Sequence, residues 1–244
     1  MGHAVDTLED LIHSRHLSLG GLTSSSRAEQ WSLETLSGRL TELFSARAPA
    51  GLTAALSLVA KAQAQNERAV WITTVDTCFF PPDAAAGGVD LDTLGVIRLP
   101  EPKDIPTAAD KLVRSGAFGL VVMDLIPDPS TATASASGSP SRLGATWRGA
   151  QARLAGLARK HDTAVIALTD DRTSSAPLGP MVSLKGEARR TSPPAPLQLN
   201  AEEGRRGAEK IASGWGIEIR IVRDKRGASG WSHFEPCHAP AGLR

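Results

Sequence analysis

The feature that most constrains the fold is a short apolar run in the middle of the chain, Phe118–Ile126, which reads FGLVVMDLI. Seven of its nine residues are apolar, and turn formers flank it, Gly116 before the run and Pro127 after it. A run of this length and composition predicts a strand buried on both faces, as in the middle of a parallel sheet. Its one carboxylate, Asp124, falls near the end of the strand, where open α/β sheets bind their ligands.

Strands and helices are predicted to alternate on both sides of this run. A second apolar run of the same kind spans Thr163–Thr169, and further strands are predicted at 39–44, 70–75 and 95–99, with helices at 52–66, 83–86, 106–115 and 143–159. Such alternation implies crossover connections and an α/β fold with a mainly parallel central sheet flanked by helices. In the helix that follows the first strand, Leu52, Leu56 and Val59 are predicted to share the buried face.

The segments outside these elements suggest how the chain is divided. Residues 1–17 are predicted to form an N-terminal amphipathic helix, in which Leu8, Leu11 and Ile12 pack either on the protein's own core or on a partner. Residues 18–30 are a Ser/Gly-rich linker, 31–236 the α/β core and 237–244 a tail. Within the core, we expect a flexible low-complexity loop at 127–141 and a charged insertion at 191–213. The alternation of apolar and charged residues over 217–223, followed by a glycine-rich turn, predicts a C-terminal β-hairpin.

The composition limits the environment and the classes of function. The chain has 244 residues, 41% hydrophobic and 22% charged, which is typical of a globular protein, and its net charge of +1 requires neither nucleic acid nor membrane. Cys78 and Cys237 are isolated thiols, which favours a reducing compartment. His13 and His16 have the spacing of metal ligands on a helix, but no third or fourth ligand is near them, so no metal site is expected. No apolar run approaches membrane-spanning length, and the acidic N-terminus is unlike a signal peptide. We therefore expect a cytoplasmic protein with no membrane partner.

The order of the predicted elements resembles the core of RecA. Gly88–Leu94 is similar to the segment after RecA's second core strand, and Arg114–Asp124 is similar to the turn and strand that carry its magnesium-binding aspartate. Ile221–Lys225 is similar to the basic hairpin that RecA sets against a neighbouring subunit. The resemblance covers roughly residues 30 to 235 and implies a RecA-like core with a C-terminal hairpin.

The phosphate-binding loop departs from that pattern. A P-loop reads Gly-x4-Gly-Lys-Ser/Thr: its glycines let backbone N–H groups surround the phosphates, its lysine neutralises them, and its hydroxyl binds magnesium. On that frame Ala46 stands for the first glycine, Gly51 keeps the second, Leu52 replaces the lysine and Thr53 keeps the hydroxyl. Replacing the lysine by leucine removes the positive charge beside the phosphates. The sequence therefore predicts a degenerate nucleotide site that holds no cofactor.

Two other positions bear on catalysis. Asp124 stands where a P-loop ATPase keeps its magnesium aspartate, but the segment 73–76 lacks the glutamate that RecA uses to activate water. We therefore expect no catalytic residue and no enzymatic activity. A divergent ATPase in which Arg47 takes over from the lysine is an alternative, and a single-strand DNA-binding accessory factor is another.

Two segments resemble one group of RecA relatives without a P-loop, the ImuA family. Leu36–Leu43 is similar to the strand that enters the empty nucleotide site of that family, and Phe79–Asp90 is similar to its proline-bearing turn and alanine-rich helix. The resemblance implies a component of DNA-damage-induced (SOS) mutagenesis whose companions are the inactive polymerase ImuB and an error-prone C-family DNA polymerase. It also implies action on RecA, restraining recombination in favour of translesion synthesis at the nucleoid.

Basic residues cluster along and after the predicted hairpin strand: Arg220, Arg223, Lys225 and Arg226. They form either a solvated strand face or a seam against another RecA-type subunit, with a weak, salt-sensitive DNA contact as a further reading. The loop Asp170–Pro180 stands where RecA carries a DNA-binding loop. Its two acids disfavour contact with a phosphate backbone.

Overall fold

A computed structural model of the protein describes residues 30–45, 50–75, 77, 79–126, 140–170, 178–191 and 215–237, without the side chains of 140–146. The predicted N-terminal helix, with Leu8, Leu11 and Ile12, lies outside the described residues, as do Ala46 and Arg47. Most of the predicted loop at 127–141 and of the predicted insertion at 191–213 also lies outside them.

The described residues form eight strands, five helices and one 3₁₀ turn. In chain order these are α1 Leu33–Leu36, β1 Leu40–Ser45, α2 Ala50–Ala64, β2 Ala69–Thr74, α3 Pro81–Ala86, β3 Gly95–Leu99, the 3₁₀ turn Pro102–Asp104, α4 Ile105–Ser115, β4 Leu120–Asp124, α5 Pro140–His161, β5 Ala164–Asp170, β6 Leu184–Thr191, β7 Trp215–Asp224 and β8 Ser232–Cys237.

All eight strands belong to one sheet, in the order β3-β2-β4-β5-β1-β6-β7-β8. The six strands from β3 to β6 are parallel, while β7 and β8 are antiparallel and form the predicted C-terminal hairpin. The predicted fold class, an α/β core with a mainly parallel sheet and a C-terminal hairpin, is therefore confirmed.

The central strand is buried as its sequence predicted, because helices cover both faces of the sheet. All five residues of β4 are buried, and their side chains alternate between two apolar clusters. One cluster lies under α2 and includes Leu120 and Val122. The other lies under α4 and α5 and includes Val121 and Met123. A fully buried aliphatic side chain contributes about 1.5–3 kcal/mol relative to an exposed one, so this strand anchors the fold.

The buried face of α2 differs from the predicted one. Leu52 and Leu56 are only half-buried at the edge of the cluster. The fully buried positions in the body of the helix are mostly alanines: Ala54, Ala55, Leu58, Val59 and Ala62. A stripe of small side chains lets the helix lie close to the sheet, so the larger leucines pack at its flanks. The prediction was correct only for Val59.

The outer edge of the sheet is fastened to α2 by one carboxylate. In β8, Glu235 accepts hydrogen bonds from Ser57 at 2.7 Å and Lys61 at 2.6 Å, both on α2, and pairs with His233 at 3.0 Å. Burial alone raises the pKa of Glu235, but hydrogen bonds from His233, Lys61 and Ser57 outweigh it and lower the pKa to about 2. The ionised carboxylate therefore holds the last strand against the helix layer.

Three element boundaries also differ from the predicted ones. The helix α5 begins at Pro140, inside the predicted loop 127–141, and β6 continues to Thr191, where the insertion was predicted to start. The strand β8 ends at Cys237, one residue beyond the predicted core. Within the described ranges, every helix is too short or too polar to cross a lipid bilayer. The same ranges contain no cluster of three or more His, Cys, Asp or Glu side chains placed to bind a metal ion.

Candidate functional site

The candidate site lies at the C-terminal edge of the parallel strands, on the face that α2 covers. Because side chains alternate along a strand, Thr73 at the end of β2 and Asp124 at the end of β4 both fall on this face. Ser45 is the last residue of β1 and Asp170 the last residue of β5, and the same alternation places both on this face. The two residues are paired in the sheet. The topology thus brings four polar residues from four strands to one edge.

Asp124 is 1% exposed, and neutral groups satisfy both of its carboxylate oxygens. The Thr73 hydroxyl donates to Oδ2 at 3.3 Å, and the Ile126 N–H donates to Oδ1 at 3.2 Å. The Thr73 hydroxyl also contacts the hydroxyl of Thr77. The indole N–H of Trp71 is buried with no hydrogen-bond partner of normal geometry among the described residues, and it acts to lower the pKa of Asp124.

Burial raises the pKa of Asp124 from its ordinary 3.8 to about 6, because the carboxylate loses its hydration and no cation compensates. The N–H of Ile126, the indole of Trp71 and the hydroxyl of Thr73 act in the opposite direction but do not cancel the effect. A carboxylate that binds magnesium has to present an oxygen to the ion. Asp124 instead points into the protein, so its geometry is that of a buried, internally bonded acid.

The N-terminus of α2 is capped by the protein itself. The first four N–H groups of a helix have no partner within the helix, and in a P-loop such groups bind phosphate. Here the N–H of Gly51 donates to the Ser45 hydroxyl at 2.7 Å, which joins the start of α2 to the end of β1. The approach is so close that a Cβ on Gly51 would lie 2.8 Å from Ser45 Oγ, so glycine is required for this contact.

The residue in place of the P-loop lysine does not face a ligand. Leu52 is half-buried and packs against the apolar cluster under α2. Thr53 is half-exposed in the first turn of the helix. Of the predicted degenerate site, the structure therefore describes Gly51, Leu52, Thr53 and Asp124, whereas Ala46 lies outside the described residues.

These residues do not fit a magnesium-bound nucleoside triphosphate. One amide at the helix N-terminus is already used by a side chain, a leucine stands where a cation is needed, and the acid of β4 is enclosed. Binding three or more phosphate charges beside Asp124 and Asp170 without a lysine is electrostatically unfavourable.

Comparison with known proteins gives the family. Residues 30–173 match the RecA N-terminal domain. The chain belongs to the RecA N-terminal domain family. It is 34% identical over 129 residues to Protein RecA of Treponema denticola, a match that covers 53% of this chain and 30% of that protein.

Two further relatives match over a longer stretch. The chain is 25% identical over 195 residues to Protein RecA of Aquifex pyrophilus and to Protein RecA of Aquifex aeolicus. These matches cover 77% of this chain and 55% and 56% of those proteins. The chain thus spans about half the length of these two RecA proteins and less of the first.

The end of β2 also departs from RecA. Thr73 and Thr74 are buried, and Val75, in the segment where RecA has its glutamate, is 59% exposed. Asp76 lies outside the described residues. The loop after β5 is described only from Leu178, whose N–H donates to Glu42 at 3.4 Å.

The basic residues of the predicted hairpin are not equivalent. Arg220 is exposed on β7, whereas the other three donate hydrogen bonds to backbone carbonyls of their own chain. Arg223 reaches the carbonyl of Val182 at 3.4 Å, and Lys225 reaches that of Pro180. Reversing the charge of Arg223 and Lys225 therefore removes internal contacts as well as any external one, and a test of partner binding needs other positions.

Arg226 is also held internally. Its guanidinium donates to the carbonyls of Ser37 at 3.4 Å and Gly38 at 2.5 Å, next to the start of β1.

Sequence reasoning missed two residues of the site, Ser45 and Thr73. A capping serine normally stands directly before its helix, whereas Ser45 lies on the preceding strand, six residues before Gly51. Thr73 is recognisable only from pairing, because it meets Asp124 through the neighbouring strands β2 and β4. The one available signal was that both residues stand at the C-terminal ends of strands predicted to be parallel.

Proposed function

We propose that this chain is a non-catalytic RecA-family protein that acts by protein–protein interaction in DNA-damage-induced (SOS) mutagenesis, in the manner of the ImuA family. The observation that carries the proposal is the hydrogen bond from the Gly51 N–H to Ser45, which uses a phosphate-binding amide inside the protein. Leu52 in place of the lysine supports it. The enclosed Asp124 supports it as well.

The proposed partners are ImuB, RecA and an error-prone C-family DNA polymerase, in the cytoplasm at the nucleoid. RecA-type subunits assemble head to tail, with nucleotide between them. A subunit that keeps the fold without a nucleotide site is suited to cap or interrupt a RecA filament. Such an action restrains RecA-dependent recombination and leaves damaged DNA to translesion synthesis.

The first experiment is calorimetry of ATP binding with magnesium, for the protein alone and again with RecA. We expect no binding heat from the protein alone, and none with RecA beyond what RecA itself produces. The matched control is Asp124→Ala. Binding heat that appears in the natural sequence and vanishes in that variant would contradict the proposal and favour a divergent ATPase.

The second experiment measures the interaction directly. Purified protein is added to RecA filaments on single-stranded DNA, and strand exchange is followed as its concentration rises. We expect inhibition without nucleotide turnover by the added protein. Strand exchange that is unaffected, together with no capture of ImuB or RecA, would refute the interaction role.

The single-strand DNA-binding alternative predicts a different signature. Binding through phosphate contacts weakens steeply with salt, by about one power of the salt concentration for each contact. Measuring the affinity for an oligonucleotide at low and high salt separates this function from the proposed one. The retention of Asp124 and Thr53 favours the ATPase as second candidate, and the calorimetry above decides it.

A further inference from the structure

The described residues carry a concentrated basic surface at the N-terminal edge of the sheet, opposite the candidate site. We define the basic surface by six residues: Arg39, Arg159, Lys160, Arg223, Lys225 and Arg226. Only two carboxylates, Asp162 and Asp224, act on its centre at Arg226. Since the whole chain has a net charge of only +1, this local excess of cations is a property of the fold.

Three separate elements build the surface. Arg226, in the turn after β7, donates to the carbonyl of Gly38 at 2.5 Å, ahead of β1. On its other side Gly38 lies against the end of α5, where a Cβ on Gly38 would be 3.5 Å from the Cα of Arg159. Ser37 also donates to the carbonyl of Asp162 at 2.6 Å. The hairpin turn, the entry to β1 and the end of α5 therefore meet in a fixed arrangement.

The cations of this surface repel one another. Desolvation lowers the pKa of Arg226, and the neighbouring charges of Arg39 and Arg159 lower it further. Asp224 pairs with Arg39 at 2.7 Å and acts against the lowering of the Arg226 pKa, so it neutralises part of the charge at the centre of the surface. Arg159 and Lys160 are exposed, and neither makes a hydrogen bond or ion pair with another side chain in the described ranges.

We infer that the basic surface binds a carboxylate-rich segment of a partner protein. The inference rests on the proposed function as an interaction protein and names the chemistry of one partner. Guanidinium groups are planar forks that match carboxylates in two parallel hydrogen bonds. Arg226 is held by the carbonyls of Ser37 and Gly38, whereas its neighbour Arg159 is exposed and offers its fork to a ligand. An acidic segment would offset the repulsion between Arg39, Arg159 and Arg226.

The alternative anion, single-stranded nucleic acid, is less well matched. Such sites combine cations with aromatic rings on which bases stack. Among the described residues, Phe80 is the one aromatic side chain that is largely exposed, and it precedes α3 rather than lying on this surface. Beyond Asp162 the edge becomes acidic, with Glu34 and Glu67 lining a cavity of about 380 Å³. A bound acidic segment is therefore confined to the basic side.

The test uses a fluorescent peptide of alternating glutamate and glycine, with a labelled oligothymidylate as the nucleic-acid probe. The variant Arg159→Glu/Lys160→Glu removes two exposed cations that make no hydrogen bond or ion pair with the described residues. The matched control, Lys111→Glu/Arg148→Glu, changes the net charge equally at exposed positions elsewhere on α4 and α5. We expect the peptide affinity to fall about tenfold in the first variant and less than about twofold in the control, with both effects smaller at high salt.

If the charge-reversed protein does not fold, the milder variant Arg159→Gln/Lys160→Gln replaces it, because glutamine keeps the helix propensity. We expect the peptide affinity of this variant to fall about threefold. Absence of peptide binding in the natural sequence, or an equal loss in both charge-reversed variants, overturns the inference. Tighter binding of the oligonucleotide, lost in the same variant, also overturns it and assigns the surface to nucleic acid. RecA capture by the same variants is measured in parallel. If a variant loses peptide binding but still captures RecA, the proposed function stands. If the natural protein binds the peptide but does not capture RecA, the proposed function is rejected and the inference about the basic surface stands.

Discussion

Replacing Asp124 by asparagine should stabilise the protein at neutral pH. Folding raises the pKa of this carboxyl group from 3.8 to about 6, so the native state holds the proton more tightly than the unfolded chain does. The stability is therefore greatest below pH 3.8 and falls as the pH rises to about 6. At pH 7 the buried carboxyl group therefore lowers the free energy of unfolding by about 3 kcal/mol, since one pKa unit is worth ~1.4 kcal/mol.

Asparagine keeps the important contacts of the site without the charge. Its carbonyl oxygen accepts from the Ile126 N–H, and the Thr73 hydroxyl is able to turn and accept from its amide. Urea unfolding of both proteins at about pH 4 and pH 7.5 gives the difference in unfolding free energy, in which other titrating groups cancel. We expect Asp124→Asn to be more stable by about 3 kcal/mol at the higher pH and nearly equal at the lower.

The control is Asp110, a carboxylate whose pKa is shifted in the opposite direction. Burial alone raises the pKa of Asp110, but hydrogen bonds and charges from Arg114 and Arg153 outweigh it and lower the pKa below 3.8. Asp110→Asn should therefore destabilise the protein at pH 7.5, with an effect that fades in acid. A difference between Asp124→Asn and the natural protein that is independent of pH, or a loss of stability at pH 7.5, would refute the reasoning.

Three other substitutions test the remaining contacts by the same urea unfolding. Ser45→Ala removes the cap on the Gly51 N–H and should cost about 1 kcal/mol, whereas Ser45→Thr should retain most of it; an unchanged Ser45→Ala midpoint rejects the cap. Glu235→Gln should cost about 1–2 kcal/mol at pH 7 after allowance for solvent screening, and the loss should fade between pH 4.5 and about 2; a constant loss contradicts the role of the charge. Gly116→Ala should cost about 1–2 kcal/mol because φ is +66° and His161 Nδ1 lies 2.9 Å from the new Cβ, and no loss would show that this turn relaxes.

The sheet was predictable because its signals are local and strong. The runs that became β4 and β5 are apolar up to their C-terminal ends, and a strand buried on both faces of a parallel sheet is the usual place for such a run. The alternation in β7 likewise revealed its one apolar face, with Ile217, Ile219 and Ile221 buried. Position 124 was placed at the end of its strand by the same run.

The details of the site were less predictable because they depend on contacts between distant segments. The sequence identified Leu52 as the loss of a lysine but not the direction of its side chain, which depends on how closely α2 approaches the sheet. The pKa of Asp124 depends on enclosure by β2, which no local pattern contains. The internal contacts of Lys225 and Arg226 depend on β1 and β6 lying beside the hairpin. A charge cluster in the sequence does not distinguish these contacts from a solvated face.

The Ser45 hydroxyl has a consequence for how this chain can change over generations. Restoring the lysine at position 52 would not by itself rebuild a phosphate site, because the Gly51 amide would still be bound to Ser45. Removing the hydroxyl first would cost stability and give no ligand in return. Each single step back is therefore neutral or harmful, and Ala46, in place of the first glycine, would still depart from a P-loop after both changes. The Ser45 hydroxyl therefore keeps the Gly51 amide engaged within the protein even if the residue at position 52 changes.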